Sequence, residues 1–143
     1  MKYPVITLWQ PWAQWVGLGW KTIETRTHNK LKSLVHKDIL IHCGLNWDEH
    51  ALSEARPYLS SSRLAQTANG DGDFRVVRSA PGYIIAKAHV NGHRVLTYSS
   101  DPQEALIECL TERWGLLLDN ITLLNRFIPA QGKQGIWYHE VEL

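Results

Sequence analysis

The residue types best suited to chemistry begin where the first apolar run of the chain ends. Trp9, Gln10 and Trp12 surround Pro11 and follow residues that alternate like a strand. Proline is favoured in the first turn of a helix, so a helix is expected to begin at Pro11. Indole rings stack on nucleobases, an amide bonds the edge of a base, and the free N–H groups of a helix start attract anions. This cluster predicts a ligand-binding corner.

A second polar cluster follows one short helix and contains Lys21, Glu24 and Arg26. Strand alternation places Thr22, Glu24 and Arg26 on one face. Glu24 and Arg26 can form a structural ion pair there, because buried charges persist mainly when they are paired. Alternatively, Glu24 bonds a base edge or accepts a proton while Arg26 holds a phosphate or a carbonyl. Lys21, in the turn before the strand, is the better candidate for chemistry.

Both clusters resemble motifs of the ASCH domain, a branch of the PUA-like superfamily. The family pattern has a strand ending in Q-P-W-A and then G-x-K-T-I-E-x-R, which residues 10–13 and 19–26 match. The strand that ends at His42 and the closing segment Gly132–Trp137 match two further family segments. The resemblance implies an α+β fold, a small curved PUA-like β-barrel with peripheral helices. It adds His42, Lys133 and Gln134 to the candidate ligand-binding residues.

The resemblance leaves three functions open, since the superfamily includes RNA-binding modules, ribonucleases and a small amidohydrolase that acts on acylated cytidine. Binding ranks first among them. Trp9 and Trp12 would stack one base of single-stranded RNA, or of a nucleotide or modified nucleoside, and Gln10 and Glu24 would bond its edge. Lysine and arginine side chains would hold the backbone phosphate, and we expect three to do so: Lys21, Arg26 and Lys133.

The other two functions are catalytic. In a metal-independent ribonuclease, Lys21 would stabilise the phosphate transition state while Glu24 or His42 moves the 2′-hydroxyl proton. The amidohydrolase branch has a threonine at the position of Glu24, so its presumed catalytic residue is absent here, although Thr22 and Thr25 are nearby. Lys21 and Glu24 are therefore the candidate catalytic residues.

Bulk properties constrain these hypotheses weakly. The chain has 143 residues, the length of one domain spanning 1–143, and a net charge of +1 that does not by itself indicate nucleic acid. Cys43 and Cys109 form no C-x-x-C pair, and no apolar run reaches membrane-spanning length. The histidines lack metal-ligand spacing, so we expect no metal and no cofactor. A reduced, cytoplasmic setting is expected, and the oligomeric state is left open.

Seven tryptophans make the chain unusually rich in indole rings. Aromatic planes serve both core packing and base stacking. Trp20 lies in a turn beside a lysine and joins Trp9 and Trp12 as a stacking candidate. The other four lie in apolar stretches and are predicted to be buried: Trp15, Trp47, Trp114 and Trp137.

The remaining segments predict the elements that position these clusters. Helices are expected over 48–59, with Asp48 as the N-cap, and over 101–114. Residues 27–38 form a basic loop that is either solvated or in contact with phosphate, and 60–80 is a long loop that could cover a pocket. Asn91-Gly92 is typical of a hairpin turn. Strands are expected over 39–42, 83–90, 116–127 and 135–143.

Overall fold

The computed structural model describes residues 1–69, 81–109 and 113–143, which contain six strands and four α-helices. The strands are β1 (Lys2–Gln10), β2 (Ile23–Arg26), β3 (Asp38–Trp47), β4 (Tyr83–Val95), β5 (Trp114–Pro129) and β6 (Trp137–Glu140). The helices are α1 (Trp12–Gly17), α2 (Ala51–Ala55), α3 (Ser61–Asn69) and α4 (Asp101–Ala105). Two 3-10 turns cover Lys32–Leu34 and Arg56–Tyr58.

The six strands of the described ranges form one sheet in the order β2-β5-β4-β3-β1-β6. Strands β1 and β3 run parallel, and the other neighbouring pairs are antiparallel. Three register shifts interrupt the long β4–β5 pairing. Bulges of this kind bend a strand and increase its twist, which suits a sheet that curls into a half-barrel. The α+β class and the curved sheet predicted above are confirmed.

Helix α1 lies between the sheet and the outer helices and positions the first polar cluster. Ala13 and Val16 pack into the main core against the sheet, whereas Trp15 is fully buried against the cluster formed with α2 and Leu106. The chain after α1 folds back, because the backbone N–H groups of Trp20 and Lys21 both donate to the Trp15 carbonyl, at 2.9 and 3.0 Å. This turn places Lys21 beside the start of α1 just before β2 begins.

The hairpin predicted at Asn91-Gly92 is wrong. Strand β4 continues through both residues to Val95, and β5 pairs with it on either side of a register shift between Val90 and Gly92. The glycine marks a bulge here because the long β5 offers a continuous partner, which a local turn signal cannot reveal.

Two predicted helices are shorter in the structure. Within 48–59, α2 ends at Ala55 and passes into a 3-10 turn that contains Pro57. Within 101–114, α4 ends at Ala105, and Leu106 adopts a left-handed φ of 58°. The carbonyls that would continue α4 are bonded elsewhere, since Glu104 O accepts from Thr22 N–H and Ala105 O accepts from Lys21 Nζ. Hydrogen bonds from Lys21 and Thr22 therefore take the place of the helical hydrogen bonds that would extend α4 beyond Ala105.

The loop predicted over 60–80 is partly wrong, because residues 61–69 form α3. The rest of it, including the part proposed to cover a pocket, lies outside the described residues. Among the tryptophans predicted to be buried, Trp15 and Trp137 are buried and Trp114 is half-buried, but Trp47 is 42% exposed. Trp47 lies beyond the last β3–β4 pair, His42–Ile84, so the sheet does not cover it from that side.

No helix in the described ranges is both long enough and apolar enough to span a lipid bilayer. Cys43 and Cys109 are both free thiols.

Candidate functional site

A cavity of about 410 Å³ lies where the end of β1, the start of α1 and strand β2 meet. Such a volume is within the usual range for small-molecule sites, about 300–1,000 Å³. Five of the residues singled out in the sequence line this cavity: Trp9, Trp12, Lys21, Glu24 and Arg26. The two polar clusters thus meet in one site, as their spacing predicted.

Lys21 lies at the floor of the cavity with 1% of its surface exposed. Its ammonium donates to the Ala105 carbonyl oxygen, lies 3.9 Å from Glu24 Oε1 and sits 4.8 Å from the centre of the Trp12 ring. Burial lowers the pKa of Lys21 from 10.5 to about 8, although the Glu24 carboxylate raises it. Lys21 is therefore held in one geometry at a pH where it can gain or lose a proton.

Glu24 bridges the two basic residues of its cluster. Its Oε2 lies 3.0 Å from Arg26 Nη1, and its Oε1 accepts a hydrogen bond of 3.1 Å from the Thr25 backbone N–H. Glu24 is buried, while the Arg26 side chain is 30% exposed. The ion pair expected from strand alternation is present, with the guanidinium extending towards the open side of the cavity.

Trp9 and Trp12 differ in how much ring surface they offer. Trp12 is half-buried: Lys21 covers one face, the Trp15 ring meets it edge-on at 5.1 Å, and its Nε1 donates to Asp48 Oδ2 at 2.8 Å. Trp9 is 53% exposed. The Trp9 ring is therefore the better surface for stacking, and Trp12 is largely committed to protein contacts.

Gln10 and Pro11 are buried beside the cavity and are not among the residues that line it. The Gln10 side-chain oxygen accepts the backbone N–H of Gln14 at 3.1 Å, and the Pro11 carbonyl accepts that of Trp15 at 3.0 Å. The backbone N–H of Gln14, near the start of α1, is thus bonded to a protein side chain. Gln10 secures the turn between β1 and α1.

His42 lies behind the cavity wall. Its Nδ1 is 3.2 Å from the hydroxyl of Thr7, a residue that lines the cavity, and its Nε2 is 2.8 Å from the Ala130 carbonyl oxygen. Trp137 Nε1 also donates to the Thr7 hydroxyl, at 3.0 Å. Burial lowers the pKa of His42. The ring supports the wall through Thr7 and does not itself line the cavity.

Lys133 and Gln134 are exposed on the loop before β6 and do not line the cavity. The same loop approaches the site at Gly132, where an added Cβ would come within 2.9 Å of the Thr7 hydroxyl oxygen. This close approach brings the loop against the cavity wall at Thr7.

Arg113, which no sequence motif indicates, also lines the cavity. The Arg113 Nε is buried without a hydrogen-bond partner, and the Arg113 side chain forms no ion pair with any described residue. Asp48 and Glu54 also line the cavity, although the sequence predicts only a helix-capping role for Asp48. Arg113 stood within a predicted helix, so no signal placed it beside Lys21.

Within the described ranges, no group of three or more His, Cys, Asp or Glu side chains could hold a metal ion.

Comparison with solved structures identifies the architecture. The crystal structure of ASCH from Zymomonas mobilis superposes with a TM-score of 0.59 over 96% of this chain and 87% of that chain, at 17% sequence identity. The chain has the ASCH fold. Two single-substitution variants of the Zymomonas mobilis protein give TM-scores of 0.58 and 0.57, with 18% and 17% identity, over 96% and 98% of this chain and 88% and 91% of theirs. No protein-family model matches the chain, and no curated protein matches it.

The fold implied by the four sequence motifs is therefore confirmed. Those motifs correspond to the β1–α1 turn, β2, β3 and the start of β6 in the ASCH fold of this chain. The cavity lies where the first two of them meet.

Proposed function

We propose that the chain binds single-stranded RNA by taking one nucleotide into the cavity between β1 and β2. The observation that carries the proposal is an exposed aromatic ring and a guanidinium with an unbonded Nε in one cavity of about 410 Å³. These groups are the exposed ring of Trp9 and the guanidinium of Arg113, which has no acidic partner among the described residues.

The Trp9 ring supports the stacking part of the proposal. A base stacked on an aromatic side chain contributes about 1–3 kcal/mol regardless of its identity, because every base has a π face. Trp9 is 53% exposed and lines the cavity, so a base can reach it without displacing core side chains.

The balance of charges supports a single nucleotide over a long polyanion. Three basic and three acidic side chains line the cavity: Lys21, Arg26 and Arg113, together with Glu24, Asp48 and Glu54. Carboxylates accept hydrogen bonds from the amino groups of a base, whereas they repel phosphate. One phosphate would be held by Arg113, and the polar edge of the base would face the carboxylates.

The proposal is tested by titrating adenosine and adenosine monophosphate into the protein and two cavity variants. Trp9→Ala should weaken the binding of both ligands by about 5- to 150-fold, because a stacking surface is lost. Arg113→Gln should weaken the binding of the monophosphate by about 12- to 150-fold and that of adenosine little, because a charge-assisted hydrogen bond contributes about 1.5–3 kcal/mol.

Tyr138→Ala is the matched control, since Tyr138 is 52% exposed with Lys2 over its ring on the opposite edge strand, β6. Melting temperatures should show that all three variants fold. Failure of both ligands to bind the unmodified protein, or equal losses in the cavity variants and the control, would refute the proposal.

A metal-independent ribonuclease is the second candidate, favoured by one observation. Lys21 lines the cavity with a pKa of about 8, so part of the population is a neutral amine able to accept a proton near neutral pH. The 2′-hydroxyl of a bound nucleotide would be the proton donor. Glu24, 3.9 Å away, stabilises the ammonium that would form.

The ribonuclease is tested with labelled RNA in the presence of chelator. Lys21→Arg should lower the rate by about 10²–10⁴-fold, as loss of a proton-transfer group does, while binding changes little. Glu24→Gln should also lower the rate, because the ammonium formed on Lys21 loses its counter-charge. Cleavage that both variants retain in full would come from a contaminating nuclease. Binding without cleavage by any of the proteins would leave RNA binding as the function.

A further inference from the structure

A second aromatic surface lies beside the cavity, formed by Trp114 and His93. Their rings are parallel, with an interplanar angle of 8° and 5.2 Å between centroids. Both side chains are half-buried, and within the described residues Trp114 packs against none of the four hydrophobic clusters. A tryptophan that contributes to no core and carries a parallel imidazole is a ready-made stacking platform.

Strand pairing makes this platform continuous with the cavity. Trp114 on β5 is directly opposite Arg26 on β2, and side chains of directly opposite residues share a face of the sheet with Cβ atoms about 4.5–5.5 Å apart. His93 on β4 is opposite Leu116, two residues along β5 from Trp114, and so lies on the same face. Arg26 lines the cavity and borders the platform at the same time.

Two basic side chains lie near the platform, Arg26 and Lys32. Burial lowers the pKa of His93, and the nearby Lys32 and His28 lower it further. Both belong to the basic loop over 27–38, which is tied to β4 by two backbone hydrogen bonds, His36 N–H to Val90 O at 2.7 Å and Val90 N–H to Lys37 O at 2.9 Å. The loop is therefore fixed next to the stacked rings, with its cations available to an anion.

We propose that Trp114 and His93, flanked by Arg26 and Lys32, form a flanking site that stacks the nucleotide adjacent to the one in the cavity. The preferred ligand is then a single strand of at least two nucleotides, with the intervening phosphate at Arg26. This inference rests on the proposed nucleotide site and deepens it. Alternating aromatic and basic groups along one sheet face match the alternating bases and phosphates of a strand.

The test measures the affinity of adenosine monophosphate and of 5′-phosphorylated adenylates of two, three and four residues, each as RNA and as DNA. We expect the dinucleotide to bind the unmodified protein about 5- to 150-fold more tightly than the monophosphate, and longer strands to add less. Trp114→Ala should remove this gain while leaving the monophosphate affinity unchanged. Trp114→Phe should retain part of the gain, because the smaller ring still stacks.

Tyr138→Ala again serves as the control, because its exposed ring and adjacent Lys2 lie at the far edge of the sheet. If Trp114→Ala does not fold, the gain in affinity from mononucleotide to dinucleotide is compared in the Trp114→Phe and His93→Ala variants instead. A 2′-hydroxyl contact would appear as tighter binding of RNA than of DNA at every length beyond one residue.

The outcomes separate the two proposals. Monophosphate binding that depends on Trp9, with no gain on lengthening or a gain that Trp114→Ala leaves intact, overturns the flanking site alone. Oligonucleotide binding that depends on Trp114 but not on Trp9 overturns the cavity site and supports the platform by itself. The absence of any binding overturns both.

Discussion

Replacement of Lys21 by methionine should change how the stability of the protein depends on pH. In the folded protein burial lowers the pKa of Lys21 from 10.5 to about 8. The unfolded chain therefore holds a proton on this amine between pH 8 and 10.5 that the folded chain has released, and stability must rise with pH over that interval. At about 1.36 kcal/mol per pKa unit, the full effect is about 3 kcal/mol. Below pH 8 both states are protonated, and the contribution is flat.

The measurement is urea denaturation of the unmodified protein and of Lys21→Met at several pH values between 7 and 10.5. The difference between their free energies of unfolding should shift by about 3 kcal/mol in favour of the unmodified protein as the pH rises. Other groups titrate in both proteins and cancel in the difference. Lys30→Met, at an exposed position, controls for the lost charge. Parallel pH profiles for Lys21→Met and the unmodified protein would refute the assignment of a destabilised ammonium to the cavity floor.

Three further predictions concern packing, charge and salt. Gly115→Ala should lower stability by about 1–3 kcal/mol in urea denaturation, since the added methyl group would collide with Leu96 and meet Ile23 at 3.0 Å; an unchanged midpoint would show that these side chains yield freely. Asp101→Asn should cost about 1.5–3 kcal/mol at neutral pH, because Arg94 lowers the pKa of this fully buried carboxyl through bonds of 2.8 and 3.0 Å. That cost should shrink as the pH falls through the folded pKa of Asp101, below 3.8, where the unmodified protein loses the same charge, and a constant cost would contradict the ion pair. Dinucleotide affinity should fall with salt with a log–log slope of about −1.4, as expected for two single-strand phosphates, whereas a slope several times steeper would indicate an extended groove.

The parts of the site that could be predicted from sequence are those fixed by local geometry. Pro11 after a strand places the β1–α1 turn, and alternation along β2 sets Glu24 beside Arg26, where the ion pair of 3.0 Å is found. The turn and the ion pair each depend on residues that are close together in the sequence. The family motifs gave the ASCH fold for the same reason, since they lie at these local features.

Arg113 could not be predicted, because it reaches the cavity through the pairing of β5 with β2, two segments nearly ninety positions apart. The early end of α4 has a similar cause: Lys21 and Thr22 bond the carbonyls of Ala105 and Glu104. Long-range hydrogen bonds of this kind compete with helix propensity and leave no periodic trace in the sequence. The bulge at Gly92 likewise depends on the length of its partner strand.

A crystal structure of the protein with 5′-phosphorylated diadenylate would show whether the cavity holds one nucleotide between Trp9 and Arg113. We expect one adenine to stack on the Trp9 ring, with a phosphate oxygen within about 2.7–3.2 Å of the Arg113 guanidinium. Diadenylate bound elsewhere on the surface, with the Trp9 ring uncovered and no phosphate on Arg113, would contradict this placement.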